Sequence, residues 1–130
     1  MFDQQMLNQW EELYDSTDEY TDKWLSSAQA FLEQFLDGRD VFNPFLVSSS
    51  GSEKEKHNDT QFQHINVLVT SGSLIPSLTK CLLFQLNNVI THGNVYSSWE
   101  VGKLKCFQII KERFSSPNVR FCVIGDGWEE

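Results

Sequence analysis

The fold is decided by residues 65–76, which read Ile65-Asn66-Val67-Leu68-Val69-Thr70-Ser71-Gly72-Ser73-Leu74-Ile75-Pro76. The first six residues form a short β-branched run that is typical of a buried strand. Ser71-Gly72-Ser73 is a turn sequence, and Pro76 suits the first turn of a helix, because its missing N–H is not needed there. The stretch therefore predicts a strand that leads directly into a helix.

The alternation of strand and helix continues to the end of the sequence. Residues 95–97 predict a second strand, residues 99–114 a second helix, and residues 119–124 a third strand that ends at Gly125. An order of β-α-β-α-β with short connections predicts a parallel sheet with right-handed crossovers. We therefore expect residues 63–130 to form an α/β core with three parallel strands.

Residues 1–46 follow a helical pattern instead, and we expect them to form a helical insert with two amphipathic helices. An apolar stripe predicts a first helix to about Tyr14. Ser16 and Glu19 have the spacing of a capping box that would open a second helix, and Gly38 is suited to end it. The pattern leaves open a helical hairpin or one long bent helix. The residues of the first stripe are Phe2, Met6, Trp10, Leu13 and Tyr14.

The helical part and the core are separated by a Ser-rich segment, residues 47–62. Residues 48–60 (SSSGSEKEKHNDT) contain no apolar side chain. Such a run cannot bury surface to offset the entropy of ordering it. We expect residues 47–62 to form a flexible loop.

The formal charge of -8 is concentrated in the first third of the chain. Residues 1–40 hold ten acidic and two basic side chains, whereas residues 41–130 hold eight of each. This distribution argues against direct nucleic-acid binding, which needs basic surface, and a solvated acidic helix face is the simpler interpretation. No apolar run approaches the roughly 20 residues that cross a bilayer, and no signal-peptide pattern is present. We expect a soluble intracellular protein without membrane contact.

The three cysteines, Cys81, Cys106 and Cys122, are odd in number and share no close spacing. Each lies among apolar residues. We therefore expect three buried thiols in a reducing compartment rather than disulfides or a zinc site.

Three features fall near the carboxyl ends of the predicted strands, where parallel sheets bind ligands. Ser71 lies in a glycine-containing turn at the beginning of a helix. Its hydroxyl and the free N–H groups of the helix would form a suitable phosphate pocket. Lys103 lies in the first turns of the predicted second helix and could neutralise phosphate charge. Asp126, between two glycines, and Glu129 offer oxygen ligands for a hard cation such as Mg²⁺. Taken singly, each has a plainer explanation: a helix cap, an exposed lysine or a tight turn.

As an ordered set, these features predict phosphoryl transfer. The nucleophile is the missing part, because no Asp-x-Asp motif occurs in the sequence. A P-loop, a Rossmann glycine fingerprint and a Ser-His-Asp arrangement are also absent. The histidines, His57, His64 and His92, fall in loops or turns and are expected to be ordinary polar residues.

Six stretches, taken in order, resemble the catalytic domain of the eyes absent family within the haloacid dehalogenase superfamily. The resemblance implies a partial haloacid dehalogenase-like fold, a Rossmann-like three-layer arrangement with a parallel sheet, preceded by the helical insert. The loop from Ser48 is similar to an insertion of plant-like members. The stretches are residues 20–25, 65–71, 74–78, 94–97, 102–103 and 123–130.

The resemblance implies a Mg²⁺-dependent protein-tyrosine phosphatase that acts on phosphotyrosine proteins through an aspartyl-phosphate intermediate. By the same resemblance, Ser71 hydrogen-bonds the phosphoryl group, Lys103 steadies its charge, Asp126 binds the metal and Glu129 supports the metal shell. Trp128 replaces a smaller apolar residue of the family pattern.

The first motif of the family, which carries the nucleophilic and the acid/base aspartates, is missing from these residues. We therefore expect this chain to be an internal piece that is inactive alone. The family strand order places the missing strand between the first and third strands predicted here. Its absence is expected to leave two unpaired strand edges.

The resemblance also implies transcriptional coactivation through a homeodomain partner, with a location in the nucleus and cytoplasm. A non-catalytic interaction or coactivator fragment is therefore the alternative to a phosphatase. A third possibility is a sterile product of an incorrect gene prediction or of splicing.

Overall fold

Helices alternate with short parallel strands in residues 3–36, 63–125 and 127, the part of the chain that the computed structural model describes. This arrangement agrees with the α/β class. None of the helices in these ranges is long and apolar enough to cross a bilayer. The elements are α1 (Gln4–Tyr20), α2 (Trp24–Leu36), β1 (Leu68–Thr70), α3 (Leu74–Leu83), 3₁₀ turns at Leu86–Asn88 and His92–Asn94, β2 (Val95–Ser97) and α4 (Lys103–Arg113).

The helical part contains two separate helices, but their boundary differs from the prediction. Ser16 and Glu19 lie inside α1, so the capping box is wrong. The chain instead turns after Tyr20, where Asp22 and Lys23 adopt left-handed backbone angles with φ of 56° and 64°. The two left-handed residues break the helical hydrogen-bond pattern, which excludes one continuous bent helix.

The beginning of α2 is capped by a side chain from α1. Oδ1 of Asp18 accepts a hydrogen bond from the backbone N–H of Ser26 at 3.0 Å. This contact satisfies one of the N–H groups that the first turn of a helix leaves without a helical partner. The cap therefore comes from eight residues upstream, a separation that the capping-box pattern does not cover.

The sheet consists of β1 and β2, which pair in parallel with Leu68 opposite Val95 and Thr70 opposite Ser97. Beyond the last pair, the backbone N–H and the hydroxyl of Ser98 both donate to the carbonyl of Thr70, at 2.8 and 3.1 Å. Strand β1 is shorter than the predicted run of residues 65–70, and α4 begins at Lys103 rather than at residue 99.

The predicted third strand is not formed, so the described sheet has two strands instead of three. Residues 119–124 lie outside any strand, and the side chains of Val123 and Ile124 are 57% and 72% exposed. Composition favours a strand here, but a strand needs a neighbour for its backbone hydrogen bonds. Residues 119–124 pair with neither β1 nor β2, which accounts for the failed prediction.

The same finding corrects the prediction for the cysteines. Cys81 and Cys106 are buried, as expected, whereas Cys122 is exposed because it lies in the unpaired segment. Sequence context could not separate the three, since each has apolar neighbours.

The core joins α2, β1, α3 and β2. Its buried centre is packed against apolar residues that include Leu32 of α2. Asn66, just before β1, fixes this packing because its side-chain amide donates to the carbonyls of Leu32 and Val89, both at 3.1 Å. The helical part is therefore attached to the sheet. The predicted loop, residues 47–62, lies outside the described residues. The buried centre consists of Cys81, Val89, Ile90 and Val95.

Candidate phosphate-binding site

Ser71 lies directly after β1, at the carboxyl end of the sheet, and its side chain is exposed. The turn that follows is held from two sides. The Thr70 hydroxyl accepts from the N–H of Gly72 at 3.1 Å, and the Ser97 hydroxyl donates to the carbonyl of Gly72 at 2.7 Å. The turn between β1 and α3 is thus tied to both strands.

Close packing leaves little room for a side chain at Gly72. A Cβ added there would lie 3.3 Å from the Ser77 hydroxyl oxygen and 3.5 Å from the Thr70 hydroxyl oxygen. The plainer explanation was that the Ser and Gly residues of this turn cap the helix; Ser73 takes the cap position of α3, but its side chain makes no cap hydrogen bond. A helix N-terminus is favourable for an anion because its first N–H groups and dipole point outward.

Lys103 is the first residue of α4 and its side chain is exposed. It follows Gly102, whose φ of 79° is readily adopted only by glycine. The N–H of Gly102 donates to the carbonyl of Ser98 at 2.9 Å, and Ser98 in turn is bonded to Thr70. This chain of backbone hydrogen bonds brings the beginning of α4 and the end of β1 to the same edge of the sheet. Ser71 and Lys103 therefore share that edge.

The remaining predicted site residues, Asp126 and Glu129, lie outside the described residues. Within the described ranges, no group of three or more His, Cys, Asp or Glu side chains is placed to hold a metal ion. The carboxylates of Asp126 and Glu129 have the donor chemistry that Mg²⁺ prefers. They remain the residues that would hold such an ion.

Sequence reasoning missed the supporting role of Ser97 and Ser98. Ser97 holds the Gly72 turn, and its hydroxyl also accepts from the N–H of Trp99 at 3.3 Å. Ser98 is buried and links β2 to β1. A signal was present, because Ser97 ends the second strand and Ser98 follows it at the place where Ser71 follows the first.

No protein-family model matches the chain. It is 54% identical to protein phosphatase EYA of Arabidopsis thaliana over 128 residues, which are 98% of this chain and 38% of that protein. Human protein phosphatase EYA2 is 48% identical over 66 residues, and Drosophila melanogaster protein phosphatase eya is 44% identical over 66 residues. These matches cover 51% of this chain in both cases, with 12% of the human and 8% of the fly protein.

The chain thus spans well under half the length of the relatives named above. The similarity nevertheless extends over nearly all of its own residues in the plant protein and over half of them in the animal proteins. On this basis the chain belongs to the eyes absent family.

Proposed function

We propose that this chain supplies the phosphate-binding edge of a protein-tyrosine phosphatase. The single observation that carries the proposal is the sheet edge shared by Ser71 and Lys103, linked through Thr70, Ser98 and Gly102. A hydroxyl at a helix N-terminus and a lysine at the same edge suit a bound phosphoryl group. The relatives are protein phosphatases by name, which supports this chemistry at the level of the family.

In the proposed reaction, the Ser71 hydroxyl donates a hydrogen bond to a phosphoryl oxygen of phosphotyrosine. The Lys103 ammonium group neutralises charge on the same group. Asp126, supported by Glu129, would hold Mg²⁺, which when bound neutralises further phosphoryl charge. An aspartate carboxylate attacks phosphorus, the tyrosine phenolate leaves, and water then hydrolyses the acyl phosphate to inorganic phosphate.

The attacking aspartate is not supplied by an Asp-x-Asp motif of these 130 residues. We therefore expect the purified 130-residue polypeptide to show no turnover of a phosphotyrosine peptide with Mg²⁺ above the blank. Turnover that disappears in the Asp126→Asn variant would contradict this part of the proposal.

The roles of Ser71 and Lys103 are tested in a chimera. This chain replaces the matching 128 residues of the Arabidopsis protein, so that the rest of the active site is provided. We expect Lys103→Gln to lower kcat/KM by about 10² to 10³ and Ser71→Ala by about tenfold or more. Lys105→Gln, an exposed lysine on the same helix, is the matched control and should keep full activity. Equal losses for the two lysine variants would contradict a specific role for Lys103.

A second candidate function is binding of a homeodomain transcription factor in the nucleus or cytoplasm, with a role in transcription regulation. The observation that favours it is the apolar surface of α1, where Met6, Trp10 and Leu13 are each about half exposed within an acidic helix. A homeodomain protein should be retained by the full chain and lost when these three residues are changed to Ala, whereas Gln9→Ala should have no effect. Failure of the unmodified chain to retain the homeodomain would contradict this candidate.

A further inference from the structure

A cavity of about 280 Å³ lies at the end of the sheet opposite Ser71 and Lys103. Its wall contains residues that precede both strands: His64, Ile65 and Asn66 before β1, and Thr91 and Asn94 before β2. The last residue of α4, Arg113, is also part of the wall. The cavity is therefore separate from the phosphate-binding edge, which lies at the carboxyl ends of the same strands.

Arg113 is held in one orientation at this cavity. Its Nη1 atom donates to the carbonyl of Gly93 and to the hydroxyl of Tyr96, both at 2.6 Å. Its guanidinium carbon lies 4.8 Å from the centre of the Phe114 ring. The two hydrogen bonds on Nη1 and the contact with the Phe114 ring fix the orientation of the planar guanidinium group. A guanidinium held in this way can bind a carboxylate or a phosphate through two of its N–H donors.

The other donors of this guanidinium, on Nε and Nη2, have no hydrogen-bond or ion-pair partner among the described residues. None of the described residues that line the cavity is acidic. An arginine that is fixed by neutral groups, and whose Nε and Nη2 donors have no partner among the described residues, is suited to an anion from outside.

Two polar atoms of the same wall are also unsatisfied. Nε2 of His64 and Oδ1 of Asn94 are buried without a hydrogen-bond partner in the described structure, and Asn94 is only 9% exposed. Buried polar atoms without partners are rare in folded proteins and destabilise them. An Nε2–H tautomer of His64 can donate to an oxyanion, whereas Oδ1 of Asn94 only accepts hydrogen bonds and is no part of the anion contact. The rest of the wall includes apolar groups, among them Val89 and Phe114.

We propose that this cavity binds a small organic oxyanion. The oxyanion group, a carboxylate or a phosphate monoester, pairs with Nε and Nη2 of Arg113. The apolar body of the ligand lies against Val89 and Phe114. The proposal does not depend on phosphatase activity, because it uses neither Ser71 nor Lys103.

The test is a titration of the unmodified 130-residue chain, labelled with ¹⁵N, with benzoate and separately with inorganic phosphate. The resonance of the Arg113 Nε–H group is followed in each titration. We expect a saturable shift of this resonance with at least one anion. A shift with benzoate alone assigns a carboxylate ligand, and a shift with phosphate that persists in Lys103→Gln assigns a phosphate ligand. An unchanged Arg113 resonance with both anions overturns the proposal.

Variants then identify the residue responsible. Arg113→Gln should weaken binding about tenfold or more, and Tyr96→Phe, which keeps the charge but loses one orienting contact, should weaken it a few-fold. Lys111→Gln removes a charge from the same turn of α4 outside the cavity wall and should bind normally. Equal weakening by Lys111→Gln would attribute binding to overall charge and overturn the proposal. The titration of the unmodified chain remains decisive if a variant fails to fold.

Discussion

Asp18 is a carboxylate of α1 that is only 5% exposed and is bound to the backbone of the next helix. The hydrogen bond from the N–H of Ser26 holds the pKa of Asp18 below its ordinary value of 3.8. Burial acts in the opposite direction, while the Ser26 hydroxyl and the charge of Lys23 lower the pKa further. The ionised form is therefore the one that stabilises the junction of α1 and α2.

This pKa gives the helical part a pH dependence of known sign. Because the pKa is lower in the folded chain than in the unfolded one, the stabilisation is complete above the unfolded value and is lost as pH falls through the folded value. Thermal melts followed by circular dichroism should show a decrease in Tm as the pH falls below the ordinary Asp value of 3.8.

The decrease should be smaller for Asp18→Asn than for the unmodified chain, and the variant should melt several degrees lower at pH 7. Asp22→Asn is the matched control, since it makes the same charge change at an exposed turn residue. An identical pH profile for Asp18→Asn and the unmodified chain would show that the cap contributes nothing.

The three cysteines should differ in their reactivity. Burial raises the pKa of the Cys81 thiol, and only the thiolate reacts with alkylating reagents. Cys106 is also buried, and its thiol group contacts the carbonyl of Ser97 at 3.4 Å. We expect iodoacetamide at neutral pH to modify Cys122 first, with Cys81 and Cys106 reacting only after denaturation. Mass spectrometry of tryptic peptides measures the order, and early modification of Cys81 would contradict the described core.

At the scale of the element, the beginning of α4 depends on one glycine. Gly102 connects β2 to α4 with a positive φ of 79°, and its N–H and carbonyl bond to Ser98 and Cys106. The sequence predicted the helix but placed its beginning at residue 99. The left-handed connection moves the beginning to Lys103 and so determines where the candidate lysine lies.

Gly102→Ala should therefore destabilise the fold by about 1–3 kcal/mol, because a side chain strains this backbone conformation. Gly93→Ala is the matched control, since Gly93 has an ordinary φ and open space around the position of a Cβ. Urea unfolding measures both free energies. A loss for Gly93→Ala as large as that for Gly102→Ala would show that backbone strain is not the cause.

At the scale of the whole molecule, the described sheet consists of two strands. A third apolar segment, residues 119–124, pairs with neither of them. Residues 119–124 have the composition of a buried strand, yet their apolar side chains are exposed. The sequence-based expectation was two unpaired edges, one on the first and one on the third strand, and it is not met because the third strand is not formed. Exposed apolar segments without a pairing partner favour association between chains.

Hydrogen exchange of the 130-residue chain should distinguish the unpaired segment from the paired strands. We expect the backbone amides of residues 120–124 to exchange about a hundredfold or more faster than the amide of Ser98, which is bonded to Thr70. Proton–deuterium exchange followed by NMR resolves the individual amides at low protein concentration. Protection of residues 120–124 equal to that of Ser98 would mean that a partner strand is present after all.

The sequence by itself determined the α/β class, the two helices of the first third, the parallel strand pair and the approximate bounds of α3. These features depend on local periodicity and on turn residues such as Gly72, which act over a few positions. It also placed Ser71 and Lys103 at strand and helix ends, because chain order within a parallel unit fixes the edge at which they lie.

Tertiary structure alone decided the rest. Three features depend on hydrogen bonds between groups that are distant in sequence: the cap from Asp18, the role of Ser98 and the orientation of Arg113. The exposure of Cys122 depends on the missing strand partner of residues 119–124. Local pattern reports what a segment favours, whereas hydrogen bonds between segments determine whether it finds a partner. Residues 119–124 illustrate this difference, since their sequence favours a strand that the described sheet does not pair.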